Sequence, residues 1–126
     1  IRDRLIEQFG FVSANEDRFK KTVKAIEKEL AFNGLLYRYK NQDDFGLPSS
    51  SFTVCTFWFI NSLIKIGEVE KAKKYFEDLL KYSNHLNLFS EDIDFDTKQL
   101  LGNFPQAYSH LALIDTAISF NSVIKS

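Results

Sequence analysis

The chain has 126 residues, 44% hydrophobic and 26% charged, which suits one folded domain with a real core. Sixteen basic and 17 acidic residues leave a net charge of -1 with no basic block, which argues against nucleic acid or an anionic membrane as a partner. No apolar run approaches the roughly 18 residues of a membrane span, and a single cysteine, Cys55, excludes an intrachain disulfide and a cysteine metal cluster.

Residues 1–9 read as the end of a helix stopped by Gly10. The chain opens in mid-pattern at Ile1 without an initiator Met, so it is expected to be a piece of a longer protein. Any targeting signal would lie upstream, and a cytoplasmic setting is the expectation. Ser13 and Glu16 have the spacing of a capping box ahead of an amphipathic helix over residues 17–32. Its apolar stripe is Phe19, Val23, Ile26 and Leu30, and Asn33-Gly34 closes it.

Residues 35–51, including "YRYKNQDDFGLPSSS", are too polar for a core element and read as a loop. The next stretch, "FTVCTFWFINSLIKIG", is apolar nearly all round, as in a helix enclosed by protein. Cys55 and Trp58 within it are expected in the core, the cysteine as a small hydrophobe. After Gly67 comes "EVEKAKKYFEDLLKYSN", whose stripe is Val69, Ala72, Phe76, Leu79 and Leu80. The short junction predicts two antiparallel neighbouring helices. An acidic stretch follows, and then "FPQAYSHLALIDTAISFNSV", a last enclosed helix with Pro105 suited to its first turn. Helices with one wet face alternate with enclosed ones, a pattern that fits an inner and an outer layer better than a simple bundle.

The acidic stretch "LFSEDIDFD" carries Glu91, Asp92, Asp94 and Asp96. A calcium loop would need Gly and Glu where Thr97 and Asn103 stand, so that reading loses both its turn and its bidentate ligand. A solvated acidic loop and a functional carboxylate remain. Leu88, Phe89, Ile93 and Phe95 interleave with the acids, which should pin the stretch to the body of the protein. His110 reads as a hydrogen-bonded structural histidine and His85 as a solvated one. Two separated histidines give no support to zinc.

"LFSEDID" followed by "LLGNFPQAYSHLALI" resembles the base-bearing region of glycoside hydrolase family 15, which includes glucoamylases, glucodextranases and prokaryotic trehalases. The upstream "YRY", "DDFG" and "FTVCTFWFINSLIKIGEVEKAKKYFEDLL" are similar to the preceding part of that domain. The resemblance spans about residues 11–118. It implies an all-α fold, about the last third of an (α/α)6 toroid, in agreement with the alternation of helices. It also implies an inverting hydrolase of α-linked glucose units, with Glu91 as the base and Arg38 against substrate. From their places in the sequence, Asp44, in the same loop as Arg38, is expected to accept from sugar hydroxyls or to hold Arg38, and Gln106, just beyond the acidic stretch, to reach a sugar hydroxyl with its amide. The two carboxyl groups of such an enzyme stand about 6.5–9.5 Å apart, to admit a water. The family's general acid lies upstream and has no match here. No cofactor or metal is expected; the partner is an α-glucoside or oligosaccharide. The other reading is a non-catalytic glucoamylase-like domain that binds carbohydrate or regulates. Residues 52–66 and 104–123 would lack their toroid neighbours in this chain alone, so it is expected to self-associate.

Overall fold

The structure, a computed structural model, describes residues 12–44 and 46–124; the helix end read at residues 1–9 lies outside them. Helix α1 (Asp17–Leu30) buries Phe19 and Val23 and half-buries Ile26 and Leu30, the stripe expected from their spacing. The turn before it holds half of the capping box. The Glu16 carboxylate accepts from the Ser13 N–H at 3.3 Å, but the Ser13 hydroxyl accepts from Asn15 instead of Glu16.

The helix ends two residues sooner than expected, because Asn33-Gly34 makes a hairpin and not a helix stop. Strands β1 (Ala31–Phe32) and β2 (Leu35–Leu36) pair antiparallel across these two residues. Both turn residues have positive φ, 49° and 77°, the mirror-image turn that suits a right-twisted two-residue hairpin. Leu35 and Leu36 are fully buried, which corrects the loop reading of that segment.

Strand β3 (Ser50–Phe52) leads straight into helix α2 (Thr53–Lys65), the hub of the molecule. Helix α2 contacts α1, α3 (Val69–Leu80), α4 (Ala107–Ile124), β2 and β3. Its β-branched and aromatic residues are modest helix formers, so tertiary packing carries it. Phe57, Ile60 and Phe89 of the acidic stretch have no measurable exposure, and full burial of such side chains is worth about 1.5–3 kcal/mol each. Burial pushes the Cys55 thiol up to about 12, which keeps it an unreactive core group. The helix stops where Gly67 N–H donates to Ile64 C=O at 3.1 Å and Glu68 N–H to Leu63 C=O at 2.9 Å, a Schellman closure. Helix α3 follows at once and packs on α2 through Ala72 and Leu79, as the short junction requires.

The acidic stretch is not a loop. Strand β4 (Asp92–Asp94) is the centre of an antiparallel sheet β3-β4-β5, with β5 at Leu100–Leu101. Among the described residues there are four helices and five short strands, so the all-α expectation is corrected to a helical fold with two small sheets. The cause is local. Ile93 alternates with Asp92 and Asp94, a period of two that one-sided burial selects as strand.

Two further expectations about the helices change. Pro105 precedes α4 and is not in its first turn, and the Phe104–Pro105 peptide is cis. Helix α2 is covered within this chain, eleven of its residues being buried, so residues 52–66 present no bare apolar face. Helix α4 does. It rests on α2 through the small residues Ser109, Ala112 and Thr116, while Leu111, Ile114 and Ile118 stay more than half exposed. No helix among the described residues is long and apolar enough to cross a membrane.

Candidate functional site

Pairing of β3 with β4 assembles the site. It sets Phe52 opposite Asp92 and Ser50 opposite Asp94, so the segment that follows Arg38 comes to lie along the acidic stretch. Between them opens a cavity of about 340 Å³ whose lining includes Arg38, Tyr39, Ser50, Phe52, Glu91 and Asp92. That volume lies within the range of small-ligand sites.

Glu91 is held through its backbone from two sides. Its N–H donates to the Asn103 carbonyl and its own carbonyl accepts from Thr53, the first residue of α2, both at 2.9 Å. The side chain is half-buried, and its Oε2 accepts from the Asn103 N–H at 3.2 Å and from Asn103 Nδ2 at 2.9 Å. Gly102 lies directly against it. A Cβ at Gly102 would come within 3.0 Å of Oε2 and 3.2 Å of the Glu91 Cβ, at a φ of +74° that other residues rarely adopt.

Asp92 is half-buried and accepts from the Ser50 hydroxyl at 3.0 Å. Burial pushes its carboxyl above the usual range and the neighbouring Glu91 adds to the rise; the Ser50 hydrogen bond and the Arg38 charge offset part of it. The folded-state value therefore lies above the ordinary 3.8 of an unfolded chain. Ionised Asp92 lowers stability at pH above the folded value, and this loss disappears as pH falls through that value towards 3.8. Asp92→Asn should therefore raise the melting temperature at neutral pH and make little difference below pH 3.8, which paired thermal melts across pH would check.

The other acids shape the chain. Asp94 Oδ1 accepts from the Thr97 N–H at 2.7 Å and from the Asp96 N–H and Thr97 hydroxyl at 2.9 Å, bonds that hold its carboxyl below the usual range. Asp96 accepts from the Asn33 amide at 3.2 Å, which ties the β1–β2 turn to the sheet. Lys98 reinforces the same tie by donating to the carbonyls of Asn33 and Phe95.

Arg38 is exposed, with its guanidinium 5.5 Å from the centre of the Phe52 ring. That leaves a planar fork of donors and an aromatic surface in one cavity with two carboxylates. The structure thus brings together Arg38 and Glu91 of the expected residues. Asp44 is exposed and is not among the residues lining this cavity; its neighbour Asp43 accepts from the Tyr39 hydroxyl. Gln106 is also outside the lining, and its backbone is fixed by bonds to Phe89 and His110. His110 joins the acidic stretch to α4. Its Nε2 accepts from the Phe89 N–H at 3.2 Å, and its Nδ1–H then donates to the Gln106 carbonyl at 2.7 Å, a structural role assigned from the bonding pattern. Trp58 is half-buried with its ring 5.9 Å from Tyr108.

Sequence reasoning missed Ser50, Phe52, Asp92 and Asn103 as parts of the site. The signal for Asp92 was the alternation around Ile93. For Asn103 it was the Gly102-Asn103 pair just beyond a second apolar doublet, Leu100-Leu101, which marks a returning strand.

Residues 67–118 match the family described as glycosyl hydrolases family 15. A trehalase of Thermoplasma volcanium is 44% identical over 109 residues, covering 86% of this chain and 18% of that protein. A trehalase of Thermoplasma acidophilum is 46% identical over 110 residues, covering 86% of this chain and 19% of the relative. For a trehalase of Mycolicibacterium smegmatis the identity is 42% over 111 residues, with 86% and 17% covered. The chain thus spans less than a fifth of the length of these relatives. No solved structure gives a match. The chain is a relative of glycosyl hydrolases family 15, matched to that family directly over residues 67–118.

Proposed function

We propose that this chain is the base-bearing part of a glycoside hydrolase that cleaves α-linked glucose units with inversion. The parent domain is an (α/α)6 toroid of which these residues form about the last third. The observation that carries this reading is the shared cavity: Glu91, held by Asn103, opens onto the same space as Arg38, Phe52 and Asp92. Glu91 accepts a proton from a water as the water oxygen bonds to the anomeric carbon. The glycosidic C–O bond breaks at the same time, and a general acid from the parent protein protonates the departing oxygen.

Arg38 and Phe52 serve the substrate. The guanidinium presents paired donors to sugar hydroxyls, and the Phe52 ring beneath it offers an apolar face to a pyranose. Asp44 and Gln106 do not line this cavity; their assignment to sugar hydroxyls rests on their places in the sequence, Asp44 in the segment of Arg38 and Gln106 just beyond the acidic stretch. The relatives named trehalases make trehalose, two α-linked glucose units, the first substrate to test.

The test is a panel of trehalose, maltose and isomaltose with the parent protein and its Arg38→Lys variant. We expect turnover of at least one sugar, and a lower kcat/KM for Arg38→Lys because a point charge does not reproduce the planar fork. Sugar binding without turnover would favour a non-catalytic domain. Unchanged kinetics in Arg38→Lys would place Arg38 outside the site.

A further inference from the structure

We infer that Asn103 is a positioning residue for this reaction: by occupying Oε2 of Glu91 it assigns proton abstraction to Oε1. The inference rests on Glu91 being the base. Both hydrogen bonds that the described residues make to the carboxylate end on Oε2, and both come from Asn103, one from its N–H and one from Nδ2. A carboxylate oxygen has two lone-pair directions, so two N–H donors use the full capacity of Oε2. Gly102 packs against the same oxygen, so close that an added methyl group would stand 3.0 Å from it. A water that gives up its proton must therefore meet Oε1.

The clamp is rigid for a reason written into the backbone. Glu91 N–H donates to the Asn103 carbonyl at 2.9 Å while Asn103 donates back to the side chain, so the two residues close a ring of reciprocal bonds. Such a ring fixes the side-chain torsions of Glu91 before substrate arrives, and positioning of this kind has large leverage on a proton transfer. Asn103 itself is exposed, so replacing it opens no cavity in the core.

The sign of the effect distinguishes a donor from a spacer. In the parent enzyme, Asn103→Ala should lower kcat by about 10- to 100-fold with KM nearly unchanged, since misplacement of a reacting group by about 1 Å can bring a loss of that order. Asn103→Asp keeps the shape but replaces the donating amide with a second carboxylate facing Oε2, and it should be worse than Ala. If Asn103 only filled space, Asn103→Leu, which keeps the bulk without a donor or a charge, would stay near wild type. Asn103→Asp more active than Asn103→Ala, or a change confined to KM, would overturn the positioning role. Glu91→Gln, assayed beside them, separates the two failures. Wild-type kcat in that variant sinks the base assignment itself. An inactive Glu91→Gln together with a mild Asn103→Asp sinks the positioning role alone.

Discussion

Glu91→Gln in the parent enzyme should lower kcat by about 10²–10⁴-fold while substrate affinity changes little, because general base catalysis typically contributes that much. The amide keeps the shape and can still accept a hydrogen bond from Asn103, so the cavity is preserved. It cannot accept the proton of the attacking water. The loss therefore belongs to the transition state and appears in kcat, with KM a poor witness. Asp94→Asn provides the contrast. Asp94 is spent on the turn through Thr97 and Asp96 and is not among the residues lining the cavity, so its replacement should leave the chemistry largely intact. Steady-state kinetics of the two variants side by side make the comparison. A Glu91→Gln enzyme with more than about a tenth of wild-type kcat would remove Glu91 from the base role.

The second large effect concerns the 126 residues produced alone, which should hydrolyse no glucoside. Inverting cleavage needs a second carboxyl group across the sugar at about 6.5–9.5 Å. Among the described residues, the cavity offers only Asp92 besides Glu91, and Asp92 is its immediate neighbour in the chain, bonded to Ser50. Without a proton donor for the leaving oxygen, the base has no departing group to work against. The same chain should self-associate. Leu111, Ile114 and Ile118 are 63%, 55% and 61% exposed along α4, and Tyr108 near its start is 44% exposed. Surface of this kind drives pairing when nothing covers it. Purified chain assayed on trehalose, maltose and isomaltose, and run on a sizing column at micromolar concentration, tests both parts. Turnover would reveal a second acid within these residues, and a strict monomer would show that the α4 face is tolerated in water.

The helices were legible in the sequence because each spans several turns. Phe19 and Val23 in α1, and Ala72 and Leu79 in α3, repeat at helical spacing and are buried as that spacing demands. The enclosed character of α2 was equally plain, since eleven of its residues are buried. Helix α4 looks the same by composition but is bare on one side, and composition cannot say which neighbours are present. The strands escaped notice for a different reason. Runs of two or three residues carry too few alternations to stand out, and Asn33-Gly34 is an equally good helix stop and hairpin turn until Leu35 and Leu36 are seen to be buried. Glu91 and Arg38 were singled out in the sequence through a family resemblance. Their meeting was not, because it depends on β3 pairing with β4 across a long stretch of intervening chain. Asp92 and Asn103 follow from that pairing and from the return of β5, so they come into view only with the fold.

The most direct measurement is proton NMR of the sugar products during the earliest part of hydrolysis of an α-glucoside by the parent enzyme, before mutarotation mixes the anomers. An inverting reaction in which water is activated by Glu91 releases the non-reducing glucose of maltose as the β-anomer, and one α- and one β-glucose from each trehalose. Release of α-glucose alone from trehalose would show a retaining reaction and contradict the role given to Glu91.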